Sequence, residues 1–255
     1  MLDMSRWCEW SADTWRGFVR RVPADCPRCM TRARGGRLCP GCASGLIDSM
    51  GTGRCLVCRH PQVAGNCPDC AAQAPAFDRL IAVFDYVGVG AELIRLYKVQ
   101  RRLHLSAILA DALATAVKHC DPPISPSTIL VPVPARHEGI IQRGFSPAAE
   151  VARGLSARLR LPCRPDLLHR SLAGTKQAAL GRRARLGALE GVYRCGPVPR
   201  GAHIAVVDDV LTTGSTLHHI ARLLKAQGAA TVTGMVLARA LSRVGQTDEL
   251  ARRFD

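Results

Sequence analysis

The sequence predicts an α/β protein, a parallel sheet flanked by helices and preceded by a small cysteine-rich module. Three observations predict it. Eight of the twelve cysteines fall between Cys26 and Cys70 as four Cys-x-x-Cys pairs. From Phe77 onward, continuous apolar runs of strand length alternate with stretches of helical apolar spacing, the pattern of strands buried on both faces. One such run, Ile204 to Val207, leads into two adjacent acids and a loop of small hydroxylic residues around one glycine, as where a strand delivers its end to a ligand.

The elements follow in order. "RLIAVFDY" (Arg79 to Tyr86) reads as a strand. Leu105, Ile108, Leu109, Ala112, Leu113, Ala116 and Val117 recur at helical spacing. "CDPPISPS" (Cys120 to Ser127) breaks the chain, and "TILVPVP" (Thr128 to Pro134) is a second strand. Ser146 and Pro147 suit an N-cap and first helical position, with Ala148, Val151, Ala152, Leu155 and Leu159 along the helix. Arg164 to Gly187 has no clean period and many bases. After the strand Ile204 to Val207, a helix from near Thr216 carries Leu217, Ile220, Ala221 and Leu224 and stops at Gly228. "TVTGMVLAR" (Thr231 to Arg239) is the last strand. These readings divide the chain into residues 1–75, a double zinc-ribbon-like module, residues 76–242, the α/β domain, and a tail, 243–255.

Composition bounds the rest. With 255 residues and 47% hydrophobic content the chain can build an ordinary core, but aromatics are only 4%, so aliphatic residues do the packing. The formal net charge is +15, and only four of the 35 bases are Lys. A basic protein attracts polyanions such as nucleic acid, anionic lipid or phosphorylated small molecules, although Arg-richness from a biased genome composition would look the same. No run of 18 apolar residues exists, so no membrane-spanning helix is expected. The first 21 residues have no apolar stretch of a secretion signal, and the reducing cytoplasm is the expected compartment. There, paired cysteines hold metal more often than they form disulfides.

The pairs are Cys26 and Cys29, Cys39 and Cys42, Cys55 and Cys58, and Cys67 and Cys70. Each places two sulfurs on one tight turn, and two pairs close a tetrahedral zinc site with no open position, which serves structure rather than catalysis. One or two zinc ions are expected. In sequence order the first two pairs form one site and the last two the other; an interleaved pairing satisfies the spacing as well. The module carries ten bases and six acids, and eight thiolates with two Zn²⁺ bring it near neutrality, leaving the α/β domain as the basic part.

"VVDDVLTTGST" (Val206 to Thr216) holds the chemistry. A helix N-terminus presents free N–H groups to an anion, Gly214 permits close approach and positive φ, and Thr212, Thr213, Ser215 and Thr216 add hydroxyl donors. The loop thus suits a phosphate monoester. Asp208 and Asp209 would repel that phosphate and suit the vicinal hydroxyls of a ribose. No G-x-x-x-x-G-K-[ST] stretch exists, which argues against a nucleotide hydrolase.

This stretch closely resembles the 5-phosphoribosyl 1-pyrophosphate (PRPP) motif of type I phosphoribosyltransferases. Cysteine pairs ahead of such a domain resemble the ComF family of late-competence proteins linked to DNA uptake, as do "LVPVPARHEGIIQRGFSPAAEVARGL" and "RSLAGTKQAALGRRARLGALEGVY". Ser146 and Pro147 stand where the family has Asn-Gln, and Gly187 and Ala188 where it has an Asn after the later arginines. The resemblance implies a type I phosphoribosyltransferase-like sheet behind the zinc-ribbon module. It implies that Asp208 and Asp209 hold the ribose hydroxyls and that Thr212, Thr213, Gly214, Ser215 and Thr216 hold the 5′-phosphate. Ala135 and Arg136 fall at the family's pyrophosphate loop. Arg143 is a further candidate for the leaving group, and Arg170 to Arg185, with Arg170, Lys176, Arg182, Arg183 and Arg185, falls at the mobile loop over the site. Mg²⁺ would accompany PRPP. The base-recognising hood would be Val87 to Leu105.

Two classes of function follow. One is a phosphoribosyltransferase that passes ribose 5-phosphate to a nucleobase-like acceptor. The other is a non-catalytic component of competence or recombination machinery that binds PRPP or single-stranded DNA alongside partner proteins. Scarce aromatics argue against a stacking platform for bases.

Overall fold

A computed structural model describes residues 22–47, 53–171 and 191–241. The chain divides into two compact units, Met1–Asp48 and Ser49–Asp255. In the first, β1 (Pro23–Asp25) and β2 (Arg32–Arg34) form an antiparallel hairpin with Ala24 opposite Ala33, and α1 (Pro40–Ile47) follows. Strands of three residues bury too little apolar surface to hold themselves together. The cysteines sit where a metal would staple them: Cys26 and Cys29 in the hairpin turn, Cys39 just before α1 and Cys42 within it.

The second unit opens with another cysteine knuckle, built from the isolated bridges Arg54↔Pro61 and Val63↔Asn66 and from α2 (Pro68–Ala72). Composition changes near residues 71–76, whereas compactness divides the chain at Asp48 and Ser49. The reason is visible in the core: Cys55, Cys58 and Cys67 are buried in one cluster with Phe77, Leu80 and Leu211.

Behind the knuckle run β3 (Arg79–Asp85), α3 (Gly88–Lys98), α4 (Leu105–Lys118), β4 (Ile129–Pro132), α5 (His137–Arg143), α6 (Pro147–Leu159), β5 (Leu168–Arg170), β6 (Tyr193–Cys195), β7 (His203–Leu211), α7 (Ser215–Ala226) and β8 (Thr231–Arg239). The main sheet has the order β3-β8-β7-β4 and is parallel throughout. Leu80, Ala82, Val131, Ile204, Val206, Val232 and Val236 share a core with Leu217, Ile220, Ala221 and Leu224 of α7 and with the antiparallel β5–β6 pair. Gly234 allows that fit, because a Cβ there would run into Leu217 and lie 2.8 Å from Leu80 Cδ1. Helices α4 and α6 pack on each other and on the sheet.

The apolar runs become strands as expected, and β4 tolerates Pro132 because it lies at the sheet's edge. Pro147 opens α6, but the Ser146 side chain makes no cap hydrogen bond. The acids do not end their strand. β7 continues through Asp208 and Asp209 to Leu211, because β8 keeps pairing with it (Asp208↔Val236, Leu211↔Arg239). Pairing with β4 stops at Val207. From Asp208 on, β7 therefore has a ladder neighbour on one side only, and the two acids lie in that stretch, on opposite faces of the strand. Helix α3 occupies the region expected as the hood. The antiparallel β5–β6 pair, three residues per strand, is too short for periodicity to show.

Candidate functional site

The cysteines form two separate groups, Cys26, Cys29, Cys39 and Cys42, and Cys55, Cys58, Cys67 and Cys70, with the sulfurs of each within 4.8 Å of one another. The pairing is thus sequential, not interleaved. A regular tetrahedron of thiolates about 2.3 Å from zinc has edges of about 3.8 Å. Cys29 and Cys39 are 3.5 Å apart, Cys55 and Cys70 3.8 Å, and Cys58 and Cys67 3.4 Å, close to the edges such a site requires. Burial pushes the Cys58 thiol up to about 11 and raises Cys70 further. A cation at the centre of such a group would offset that cost and let all four sulfurs sit as thiolates. Both groups could hold zinc, each as a closed site.

The loop after β7 is built as its residues require. Gly214 adopts φ 76°, the left-handed conformation, and caps α7, which starts at Ser215. Thr213 Oγ1 and Ser215 Oγ lie 2.9 Å apart, and His218 N–H donates to Gly214 O at 2.8 Å. One cleft is lined by Asp208, Thr212, Thr213, Gly214, Ser215 and Thr216 over a floor of Val133, Val236 and Leu217. The helix N-terminus there favours negative charge.

Beside the loop, the acids are held unequally. Asp209 is buried, and Lys98 Nζ lies 3.0 Å from its Oδ2. Lys98 reaches it because Tyr97, fully buried, donates its hydroxyl hydrogen to Pro147 O at 3.0 Å and packs on Phe145, fixing the end of α3. Burial pulls the Lys98 ammonium down, but the carboxylate of Asp209, helped by Asp208, outweighs it and holds the group above its ordinary value. Asp208 keeps some exposed surface yet is closely surrounded. Burial first, then the Asp209 charge, push it up to about 7, against the Asp209 N–H that donates to its Oδ1 at 2.8 Å and the more distant Lys98.

Arg143 ends α5, lies within electrostatic reach of Lys98, and folds over Gly139. Its Nε is buried with no hydrogen-bond partner among the described residues. Arg136 is exposed at the start of α5 and, with Asp208, acts electrostatically on Tyr193. Arg170 donates to the Tyr193 hydroxyl at 2.9 Å and stands 5.3 Å over its ring. Lys176, Arg182, Arg183 and Arg185 lie outside the described residues.

Pattern reading overlooks two bases. Lys98 is one; its rarity among 35 bases is the only signal it gives. Arg239 is the other, a charge closing an otherwise apolar strand and only 2% exposed. It pairs with Asp69 at 2.7 Å and donates to the carbonyls of Cys58, Leu211, Thr212 and Ala240.

Residues 139–255 match the family described as the phosphoribosyl transferase domain. The chain is 31% identical to the DNA utilization protein YhgH of Shigella flexneri over 191 residues, 73% of this chain and 84% of that one. With the Salmonella typhi protein of the same name it shares 31% over 208 residues, 80% of this chain and 85% of the other. With competence protein F of Haemophilus influenzae it shares 28% over 211 residues, 80% and 90% of the two chains. No helix among the described residues is long and apolar enough to cross a membrane. With these relatives, the phosphoribosyl transferase domain and two four-cysteine groups ahead of it, the chain belongs to the ComF family.

Proposed function

We propose that this protein binds PRPP with Mg²⁺ and acts in DNA uptake or processing, transferring ribose 5-phosphate to a nucleobase-like acceptor. One observation carries the reading: Asp208 and the hydroxyl-rich loop Thr212 to Thr216 line a single cleft at the N-terminus of α7. The DNA setting comes from the names of the relatives, DNA utilization protein and competence protein F.

In this reading the loop amides and hydroxyls of Thr212, Thr213, Gly214, Ser215 and Thr216 hold the 5′-phosphate. Asp208 and Asp209 accept hydrogen bonds from the ribose hydroxyls, and Lys98 yields Asp209 to them. The bond from C1 to pyrophosphate breaks as the acceptor bonds to C1, through a transition state with oxocarbenium character. Arg143, whose Nε has no hydrogen-bond partner among the described residues, would face the charge that gathers on the departing pyrophosphate. Lys176 and Arg136 are assigned to the same leaving group. The carboxylates and substrate phosphates are the hard oxygen donors that Mg²⁺ takes, and it would help neutralise the leaving group.

The net charge of +15 favours a second reading, a non-catalytic component that binds single-stranded DNA or PRPP in competence or recombination machinery. Calorimetric titration of the zinc-loaded protein with PRPP and Mg²⁺, beside an Asp208→Ala, Asp209→Ala variant, separates them. Micromolar-range binding that the variant loses supports the phosphoribosyl site. No binding by well-folded protein rejects it and leaves DNA as the leading ligand.

A further inference from the structure

The buried guanidinium of Arg239 lies between the second cysteine knuckle and the hydroxyl-rich loop. On the knuckle side, Nε donates to Cys58 O at 3.2 Å and Nη2 to Asp69 Oδ2 at 2.7 Å. Cys58 belongs to one Cys-x-x-Cys pair and Asp69 lies inside the other, between Cys67 and Cys70. Both halves of the metal site thus meet on one side chain. On the loop side, Nη1 donates to Leu211 O at 3.3 Å and to Thr212 O, where β7 gives way to the loop. In a trans peptide the C=O and N–H point in opposite directions. By drawing the Leu211 and Thr212 carbonyls toward itself, Arg239 aims the N–H groups of Thr212 and Thr213 away from it.

Three further contacts join the same parts. Arg54, next to Cys55, forms a buried ion pair with Asp85, and Asp85 is the register partner of Arg239 in the β3–β8 ladder. The knuckle therefore contributes one base and one acid, each matched to the opposite charge at the end of adjacent strands. Ala76 N–H, just past the knuckle, donates to His218 Nδ1 of α7 at 3.1 Å. Cys58, Asp69 and Cys70 also line one cleft with Thr213, Gly214 and Ser215.

We infer that Arg239 is the positioning residue of the phosphate-binding loop and that the second four-cysteine site sets it through Asp69 and Cys58, coupling metal in that knuckle to ligand on the loop. The residues fit zinc by their sulfur spacing, and metal would fix the two halves of the knuckle against each other. The coupling is reciprocal: whatever orders the loop also holds the knuckle. The loop's dependence on Arg239 stands on geometry alone, whereas the effect on PRPP rests on the function proposed above.

The test uses the full zinc-loaded chain and Asp69→Asn, which removes the counter-charge without removing a sulfur ligand. Metal analysis and the thiolate absorption of a cobalt-substituted sample should match the parent protein. Hydrogen exchange of residues 211–217, without ligand, should quicken about tenfold, and affinity for PRPP with Mg²⁺ should fall about tenfold. Asp69→Glu should recover most of both. Should Asp69→Asn fail to fold, Arg239→Lys serves, since one ammonium keeps the charge but cannot span both carbonyls. Unchanged exchange across 211–217 in a variant with intact metal overturns the coupling. If the parent protein does not bind PRPP yet exchange still responds, the coupling stands and only the proposed ligand falls.

Discussion

Asp208 is the residue whose ionisation matters most. Its carboxyl is pushed up to about 7, so protonated and ionised forms coexist near neutrality. Because the folded value lies above the unfolded one, its contribution to stability is complete below about pH 4 and disappears as pH climbs through about 7. A ribose or Mg²⁺ needs the ionised form, so affinity for PRPP should rise through the same window. Binding at pH 6.5 should release a proton, seen as a calorimetric enthalpy that depends on the buffer. Asp208→Asn should reduce that dependence to what the 5′-phosphate itself contributes and flatten the stability profile between those limits. Lys98→Met removes a charge that favours ionised Asp208, and the midpoint of binding against pH should move upward; a downward shift would contradict the role given to Lys98. Neither role shows in the local pattern. Lys98 is 111 positions from Asp209, and Arg239 is 170 from Asp69. By contrast the loop residues are contiguous, so their pattern can be read at a glance.

At the level of elements, the turn from β7 into α7 depends on backbone shape. Gly214 at φ 76° has room for a methyl group, so Gly214→Ala isolates conformational strain. That strain should lower stability by about 1–2 kcal/mol in urea unfolding. Gly234→Ala tests packing instead, since the added carbon meets Leu217 and Leu80 where α7 lies on the sheet. A loss of about 1–3 kcal/mol is expected from that overpacking. Strands were legible wherever apolar runs were continuous, as in β3, β7 and β8. The extent of β7 was not, because Asp208 and Asp209 interrupt the run while the backbone ladder to β8 ignores side-chain polarity. Helix α3 was equally hidden, since its extended N-cap, Val87, makes no side-chain cap.

For the whole molecule, charge and metal set the tests. If single-stranded DNA binds the basic chain through its phosphates, affinity should fall steeply as salt rises from about 50 to 200 mM, while PRPP binding should follow Mg²⁺ more than salt. Similar salt slopes for both ligands would argue that they share one electrostatic surface. The two cysteine groups, each able to hold a metal, were legible from spacing. Their unequal membership in the fold was not, because compactness depends on which core each sulfur joins. That membership limits how the chain can be cut. A fragment starting at residue 76 would strand a carboxylate at Asp85 and a guanidinium at Arg239, each deprived of a buried counter-ion, and would bare Phe77 and Leu80. A fragment starting at Ser49 keeps those partners. The shorter piece should aggregate on expression and the longer one remain in solution, so the seam for dissecting this protein lies between its two four-cysteine groups.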